Sequence, residues 1–346
     1  MKRNYVSNLH EGSKIEDVFL ITSKSLGSTR TGMPFIKMRL TDRTGTIDAV
    51  KWNASQTELS AASEMDYINA RGTIGEYNGA LQLTIDSFRK HTEKVEPSDF
   101  LATTSRDIDE MFGELREILA EVRNPQLARL LSSFFDDDRI GRQFREAPAA
   151  TKVHHACIGG LLEHTLSVLK SSSALASLYP DADRDIVLTA AALHDIGKIE
   201  EYDWSISIRF SDAGHFIGHL VGGAMMIKDA AARIEGFDPL LNLALQHAIL
   251  SHHGKKEYGS PKQPKSLEAM IVHAADELDA DAAMYRNAVA EAARDGDGSL
   301  FTKRHFFLDR PLFKGMPHSE ESEESPDAFD LELFAVKADK DPFAEE

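Results

Sequence analysis

The sequence predicts a multi-domain protein of α and β structure, in which a five-stranded β-barrel precedes an all-α domain. Two observations predict this class. Apolar residues alternate with polar ones in five short stretches between residues 13 and 90, which is the period of strands. From residue 107 onward the apolar spacing becomes helical. A length of 346 residues also exceeds what one hydrophobic core normally fills.

These changes in apolar spacing and composition divide the chain into a barrel domain at 1–95, a linker at 96–106, a helical domain at 107–312 and an acidic tail at 313–346. The tail offers too little apolar surface to offset the entropy of ordering, so we expect it to be disordered. The alternative is docking of its scattered apolar side chains on a partner or on the chain itself, through Phe329, Leu331 and Phe334.

The five strands are predicted in the stretches KIEDVFLITS, PFIKMRLTD, TIDAVKW, YINARGTIG and LQLTIDSF. Between the third and the fourth, NASQTELSAASEMD predicts a short helix with Asn53 as a candidate N-cap. Five strands with a helix in this position follow the order of an OB-fold barrel. The turn DRTG, from Asp42 to Gly45, resembles the turn that joins the second and third strands in the nucleic-acid-binding OB family.

Helical periodicity in the second domain continues through the segments that begin IDEMFGEL, QLARLL, GLLEHTL, DIVLTAAAL, LVGGAMM, PLLNLAL and LEAMIVHAA. One stretch, YDWSISIRFSDAGHF, alternates instead and predicts a short hairpin or an extended excursion. It follows the segment that contains His194 and Asp195.

The charge is unevenly placed along the chain. The net charge of −17 argues against a nucleic-acid binder, yet residues 1–95 carry 13 Lys/Arg against 11 Asp/Glu. Residues 315–346 carry 2 Lys against 11 Asp/Glu, so the tail supplies about half of the excess. Because local charge governs binding more than the total does, nucleic acid is not excluded.

The composition favours a cytoplasmic protein without a membrane partner. No apolar run approaches the roughly 20 residues of a membrane-spanning helix, and the N-terminal residues MKRNYVSNLHEG lack the apolar stretch of a secretory signal. The single cysteine, Cys157, excludes an internal disulfide framework and fits a reducing compartment.

A series of metal-ligand residue types crosses the helical domain: His164, His194, Asp195, His219, His252, His253 and Asp276. Imidazole and carboxylate together suit first-row divalent metals, and an Asp can share its two oxygens between two ions. One such histidine alone would more often be a satisfied core or cap residue. Each member of this series, however, lies on or at the end of an apolar helix, which is how helical bundles build internal metal sites.

The order H…HD…D, with HDIGK at 194–198, resembles the HD-domain metal-dependent phosphohydrolases. The wider series KVHHACIGGLLEHT, LTAAALHDIGKIEEY, Gly218-His219, ILSHHG and VHAADELDA is similar to the YhaM-type 3′→5′ exoribonucleases, which join an N-terminal OB domain to an HD domain. The resemblance covers residues from about 10 to 310. It implies a hydrolase with two divalent ions, Mn²⁺ being favoured over Co²⁺, Fe²⁺, Ni²⁺ or Mg²⁺.

The resemblance also implies roles for the individual residues. One metal group would contain His164, His194, Asp195 and Asp276, and a second would contain His219 and His252, with Asp195 bridging. The choice between His252 and His253 as ligand stays open; His252 is favoured, and His253 would then either support the ligands or contact the phosphate. From its spacing, three residues past Asp195, Lys198 is predicted to be a catalytic residue whose ammonium contacts a phosphate oxygen; the alternative is a solvated lysine after a glycine.

Other histidines are assigned away from the metals. His155, which follows His154 in the family pattern, is a candidate substrate contact. His273 lies one helical turn before Asp276 and is expected to support the ligands, whereas His215 and His247 are expected to have structural roles.

The barrel offers aromatic and basic residues of the kind that hold single-stranded nucleic acid, namely Phe35, Trp52, Tyr67 and Tyr77 with Lys37, Arg39, Lys51 and Arg71. Some of these aromatic residues must fill the barrel instead. Lys37, Arg39 and Lys51 alternate with apolar residues, so we expect them to share an outward face. The predicted substrate contacts are Phe35, Lys37, Arg39, Lys51 and Trp52.

Three classes of function compete. The favoured one is an exonuclease that removes 3′ nucleotides as 5′-monophosphates from single-stranded RNA, with single-stranded DNA as a further substrate. The second is a phosphohydrolase of nucleotides or cyclic dinucleotides, which would leave the barrel without a purpose. The third is a non-catalytic nucleic-acid scaffold, which the complete ligand series argues against. The sequence leaves open whether the protein forms a homo-oligomer.

Overall fold

The computed structural model describes residues 2–151, 155–295 and 298–315. Residues 1–287 form one compact unit, and a second begins at residue 288. Within the described ranges, no helix combines the length and the apolar character that crossing a membrane would require.

The N-terminal part is a closed five-stranded barrel. Its strands are β1 (Lys14–Ser28), β2 (Pro34–Asp42), β3 (Gly45–Trp52), β4 (Tyr67–Tyr77) and β5 (Ala80–Lys90). They follow each other around the barrel in the order β1-β2-β3-β5-β4, and β1 also pairs with β4. The β3–β5 pairing is parallel and the others are antiparallel. The predicted five-stranded barrel is therefore confirmed.

Period-two alternation explains the barrel core. In β2, Ile36, Met38 and Leu40 are buried and belong to the barrel's hydrophobic cluster. The residues between them, Lys37 and Arg39, are exposed. Because neighbouring side chains of a strand point to opposite faces, this alternation separates a packed interior from a solvated exterior.

The short helix between the third and fourth strands is α1 (Gln56–Ser60). Its N-cap is Ser55, whose hydroxyl accepts from the backbone N–H of Glu58 while the Glu58 carboxylate accepts from the backbone N–H of Ser55. Asn53 has a φ of 51° and precedes the cap, so its prediction as the N-cap was wrong. The reciprocal Ser-x-x-Glu capping box satisfies two backbone donors, which a lone Asn cannot do.

The helical part contains α2 (Ile108–Leu119), α3 (Pro125–Phe135), α4 (Asp138–Glu146), α5 (Gly160–Leu178), α6 (Arg184–Leu193), α7 (Lys198–Glu201), α8 (Asp212–Phe216), α9 (His219–Ala232), α10 (Pro239–Ser251) and α11 (Leu267–Asp295). One hydrophobic cluster joins α2 through α6 to α9, α10 and the first turns of α11. The predicted hairpin is also confirmed: β6 (Tyr202–Asp203) pairs antiparallel with β7 (Arg209–Phe210).

The segment between barrel and helices is fastened at both ends. On the barrel side, the Phe100 ring lies 4.6 Å from the ring of Tyr67, and the Tyr5 hydroxyl donates to Asp99 over 2.5 Å. On the helical side, Thr103 forms an isolated parallel β-bridge with Ile158. Barrel and helical part are thus joined by packing and by hydrogen bonds as well as by the chain.

Candidate metal centre

The ends of α5, α6, α9 and α10 and an inner turn of α11 bring the metal-ligand residue types together. His164 lies in the second turn of α5, His194 and Asp195 follow α6, and His219 is the first residue of α9. His252 and His253 follow α10, and Asp276 lies in α11. The hydrophobic cluster that joins these helices holds their polar ends in one place. His164, His194, Asp195 and His252 are all almost fully buried there.

The first group surrounds one oxygen of Asp195. Nε2 of His164 lies 3.1 Å from Nε2 of His194 and 3.1 Å from Oδ1 of Asp276. Oδ2 of Asp195 lies 3.4 Å from Nε2 of each of these two histidines. These are the four residues that the sequence assigned to a first metal group.

The second group surrounds the other oxygen of Asp195. Oδ1 lies 3.5 Å from Nε2 of His219 and 3.6 Å from Nε2 of His252. Nε2 of His253 lies 3.4 Å from Nε2 of His219. The carboxylate of Asp195 therefore lies between two sets of imidazoles, and both His252 and His253 contribute to the second one.

Backbone carbonyls orient two of the imidazoles. Nδ1 of His194 donates to the carbonyl of Ala191 over 2.8 Å, and Nδ1 of His252 donates to that of Ile249 over 2.8 Å. Because a carbonyl oxygen only accepts, Nδ1 carries the proton on a neutral ring and Nε2 presents its lone pair to the centre.

Two carboxylates that contact the imidazoles from behind were not predicted from the sequence. Oδ2 of Asp279 lies 2.8 Å from Nδ1 of His164. Both carboxylate oxygens of Glu201 lie 2.9 Å from Nδ1 of His219. Such carboxylates fix the ring orientation of metal-binding histidines. The sequence signals for them were the position of Asp279, three residues after Asp276, and that of Glu201 in the segment HDIGKIEEY.

The centre fits a divalent cation. Among the described residues, Oδ1 of Asp195 and Nε2 of His252 are buried without a hydrogen-bond partner, a costly arrangement unless a cation is bound. Burial opposes ionisation of Asp195, but Lys198, His194 and His164 outweigh it and hold its pKa well below the usual value. Burial lowers the pKa of His252 to about 3, so its ring is neutral, as a metal ligand must be.

Lys198 and His155 lie beside the metal-ligand residues. Nζ of Lys198 is 2.5 Å from Oδ2 of Asp195. The His155 ring lies between Glu163 and Asp279, at 3.5 Å from each carboxylate. Burial opposes protonation of His155, but these two carboxylates raise its pKa. His154 lies outside the described residues.

His273, His247 and His215 lie outside the two groups around Asp195. His273 donates from Nδ1 to the carbonyl of His252 over 2.6 Å, so it supports the second group from behind. Nε2 of His247 accepts from the backbone N–H of Lys265, and the ring of His215 lies 5.4 Å from that of Phe210.

The barrel presents one aromatic pair on its outer face. Phe35 and Trp52 are register partners on β2 and β3, with ring centroids 5.2 Å apart. The Phe35 ring also lies over Gly27, where an added Cβ would lie 2.4 Å from it. Lys37 follows on the same face, 5.9 Å from the Phe35 ring centre. Arg39 comes next and pairs with Asp48 at 3.3 Å.

Lys51 does not share this outward face, and that part of the prediction was wrong. Its register partner is Ile36, which points into the barrel. The Lys51 side chain is only 15% exposed and pairs with Glu58 of α1 at 3.5 Å. Tyr67 is likewise turned away from solvent, and burial raises its pKa to about 12.

Comparisons with known proteins agree with this architecture. Residues 161–281 match the family model of the HD domain, and residues 20–90 match that of an OB-fold nucleic acid binding domain. The 3'-5' exoribonuclease YhaM of Bacillus licheniformis is 35% identical over 314 residues, covering 90% of this chain and 98% of that protein. The protein of the same name from Bacillus subtilis is 34% identical over 308 residues, covering 88% of this chain and 96% of that protein.

Proposed function

The chain belongs to the family of YhaM 3′-5′ exoribonucleases, and from this we propose that it hydrolyses single-stranded RNA from the 3′ end, releasing nucleoside 5′-monophosphates. The observation that carries the proposal is the position of Asp195, whose two oxygens face two different groups of imidazoles. A carboxylate shared in this way is the arrangement that a pair of cations needs.

The residues that would hold the ions are His164, His194 and Asp276 on one side, His219 and His252 on the other, and Asp195 between them. We propose two divalent ions, with Mn²⁺ favoured over Co²⁺, Fe²⁺, Ni²⁺ and Mg²⁺. When bound, such ions activate water, neutralise phosphate charge and stabilise the leaving 3′ oxygen. His253 would contact the phosphate from the edge of the second group, where its ring is only partly buried.

The cationic groups at the centre fit a phosphodiester. Lys198 is held beside Asp195 by a short ion pair, and its side chain retains 12% exposure. Its ammonium can therefore reach a phosphate oxygen at the centre with little movement. His155, whose pKa is raised by its two carboxylate neighbours, would contact the substrate from the α5 side. Lys198 would supply positive charge where the phosphate arrives, and the carboxylates beside His155 favour its charged form.

The barrel would hold the RNA strand upstream of the cleaved end. Phe35 and Trp52 form a stacking surface for bases, and Lys37 and Arg39 lie beside it for phosphates. Lys51, tied to Glu58, would contribute at most at the edge of this surface. Stacking and phosphate contacts are insensitive to the 2′-hydroxyl, so we propose single-stranded DNA as a further ligand.

We retain the proposed division into a barrel domain at 1–95, a linker at 96–106 and a catalytic domain at 107–312. It is supported by the end of β5 at Lys90 and the start of α2 at Ile108. The predicted tail lies outside the described residues from 316 on. A cytoplasmic location is proposed on the single, half-buried Cys157.

End-labelled RNA tests the proposal directly. With Mn²⁺, single-stranded RNA labelled at its 5′ end should shorten into a ladder, and the same RNA labelled at its 3′ end should release a labelled mononucleotide first. Internal cuts or loss of 5′ nucleotides would contradict it. Intact RNA together with hydrolysis of free nucleotides or cyclic dinucleotides would favour the small-molecule alternative, and binding without cleavage would favour the scaffold.

A further inference from the structure

The hairpin of β6 and β7 and the following helix α8 form an excursion, residues 202–217, inserted in the chain between Glu201 and His219. It leaves the core after Glu201 and returns at His219, the residue that Glu201 contacts. The sequence predicted a hairpin or extended segment here. The excursion contributes no residue to the metal-ligand groups or to the barrel face, so the proposed function gives it no role.

The excursion is fastened to Glu201 itself. The backbone N–H of Ser211 donates to the carbonyl of Glu201 over 2.9 Å, and the Ser211 hydroxyl donates to that of Glu200 over 2.5 Å. Gly214 packs so closely that an added Cβ would lie 2.2 Å from the Glu201 carbonyl oxygen. Any ligand held by the excursion is therefore positioned by the residue that also orients His219.

A cavity of about 910 Å³ opens on the excursion. Its lining includes Asp203, Arg209, Phe210 and His215, together with Thr151 from the segment that precedes α5. The size lies within the range of small-molecule sites, which bury their ligands in clefts of about 300–1,000 Å³. Nothing in the assigned metal centre uses these side chains.

The lining combines one aromatic face with polar groups of both signs. Phe210 is 42% exposed, and its ring lies 5.4 Å from the rings of both Tyr202 and His215. Arg209 donates to Asp203 through Nε and Nη2, over 3.1 and 2.6 Å. A ring held between two others offers a fixed stacking face, and the paired guanidinium and carboxylate offer donors and acceptors beside it.

We propose that this cavity binds the base of a nucleotide next to the scissile phosphodiester, stacked on Phe210 with its polar edge toward Arg209 and Asp203. A planar heteroaromatic ring with donors and acceptors at its edge matches this lining, whereas an aliphatic ligand would leave the charged pair unused. The inference rests on the proposed function. It adds a second point of attachment beside the catalytic centre, independent of the barrel face.

Removing the bases from the RNA and removing the Phe210 ring from the protein should lower kcat/KM by the same factor. The two changes can therefore be tested together. The substrates are one single-stranded RNA with all its bases and a matched RNA whose two 3′-terminal nucleotides lack bases. The variants of the full-length protein are Phe210→Ala and, as a control, Phe216→Ala. Phe216 belongs to the same excursion and is 89% exposed, but it does not line the cavity.

Because stacking of one base changes affinity by about tenfold, wild type should degrade the base-free RNA with a kcat/KM lowered about tenfold. Phe210→Ala should lower kcat/KM on complete RNA to a similar value. Its kcat/KM on the base-free RNA should equal that of wild type. Phe216→Ala should match wild type on both. Equal rates of wild type on both RNAs, equal losses in Phe210→Ala on both, or the same loss in Phe216→Ala would overturn the inference. Failure of the proposed function is distinct, since wild type would then shorten neither RNA.

Discussion

Both carboxylate oxygens of Glu201 lie 2.9 Å from Nδ1 of His219, and one of them also accepts from the His219 backbone N–H over 3.0 Å. The contact fixes the ring, the start of α9 and the tautomer at once, because the proton on Nδ1 leaves the Nε2 lone pair facing Asp195. Burial opposes ionisation of Glu201, yet its contacts with His219 lower its pKa.

We therefore expect Glu201→Gln to weaken Mn²⁺ binding about 10- to 100-fold, the usual cost of losing such a carboxylate. Isothermal titration with Mn²⁺ would measure it. Glu200→Gln is the matched control, since the Glu200 side chain is exposed. Unchanged affinity in Glu201→Gln would mean that this carboxylate does not support a ligand.

His252 and His253 should differ in what they do. Nε2 of His252 is buried, unpaired in the described part of the chain and directed at Asp195, whereas His253 is only partly buried at the rim. His252→Gln should lose one bound ion, and His253→Gln should keep the ions but turn over at least tenfold more slowly. Metal analysis and single-turnover rates on both variants separate these outcomes. Loss of an ion in His253→Gln alone would reverse the assignment.

The glycine of the HDIGK motif should be required for space rather than for backbone freedom. Gly197 has a φ of −64°, which any residue adopts. An added Cβ, however, would lie 2.2 Å from the carbonyl oxygen of His219 and 2.7 Å from the backbone nitrogen of Gly223. Gly197→Ala should therefore push α9 away, lowering stability by about 1–3 kcal/mol and weakening Mn²⁺ binding.

Gly222→Ala is the control for this substitution. Gly222 lies in α9, the helix that Gly197→Ala would displace, and an added Cβ at Gly222 meets no atom within 4 Å. Alanine at this position should raise stability by up to about 1 kcal/mol through helix propensity. Thermal unfolding measures both variants, and equal shifts in Tm would contradict the steric account.

The outer face of the barrel should bind RNA through its aromatic pair. Trp52→Ala should weaken binding of single-stranded RNA about tenfold, since stacking contributes about 1–3 kcal/mol per base. Fluorescence anisotropy without metal would measure it. Tyr179→Ala, in the helical part, removes an aromatic side chain of nearly equal exposure, 47% against 45%, and should have no effect. Equal losses in the two variants would exclude the barrel face as the binding surface.

The barrel could be predicted from the sequence because alternation, turn residues and strand order all agree on it. Asn53 was placed wrongly because the N-cap is decided by the hydrogen bonds between Ser55 and Glu58. Lys51 was placed wrongly because its face of the barrel is decided by the register of the paired strands. Lys51 alternates correctly within its own strand, but its partner Ile36 shows that it follows the inward set. Helix α4 was not predicted, since its segment DRIGRQFRE contributes few apolar residues.

The residues that gather around Asp195 could be chosen from the sequence because their types and order are distinctive. Glu201 and Asp279 could not, since a carboxylate behind an imidazole looks in sequence like any solvated acid. Their role depends on a contact between distant segments; Asp279 lies 115 residues from His164. The resemblance implied that Asp195 bridges two metal groups. Only the structure shows that each of its two oxygens lies near a different pair of histidines.

The most direct test of the account is the number of Mn²⁺ ions bound per chain, measured by metal analysis after equilibrium dialysis of wild type and Asp195→Asn. The account predicts two ions in wild type and fewer than one in Asp195→Asn, because one carboxylate completes both groups. Two ions retained in Asp195→Asn, or a single ion in wild type, would contradict it.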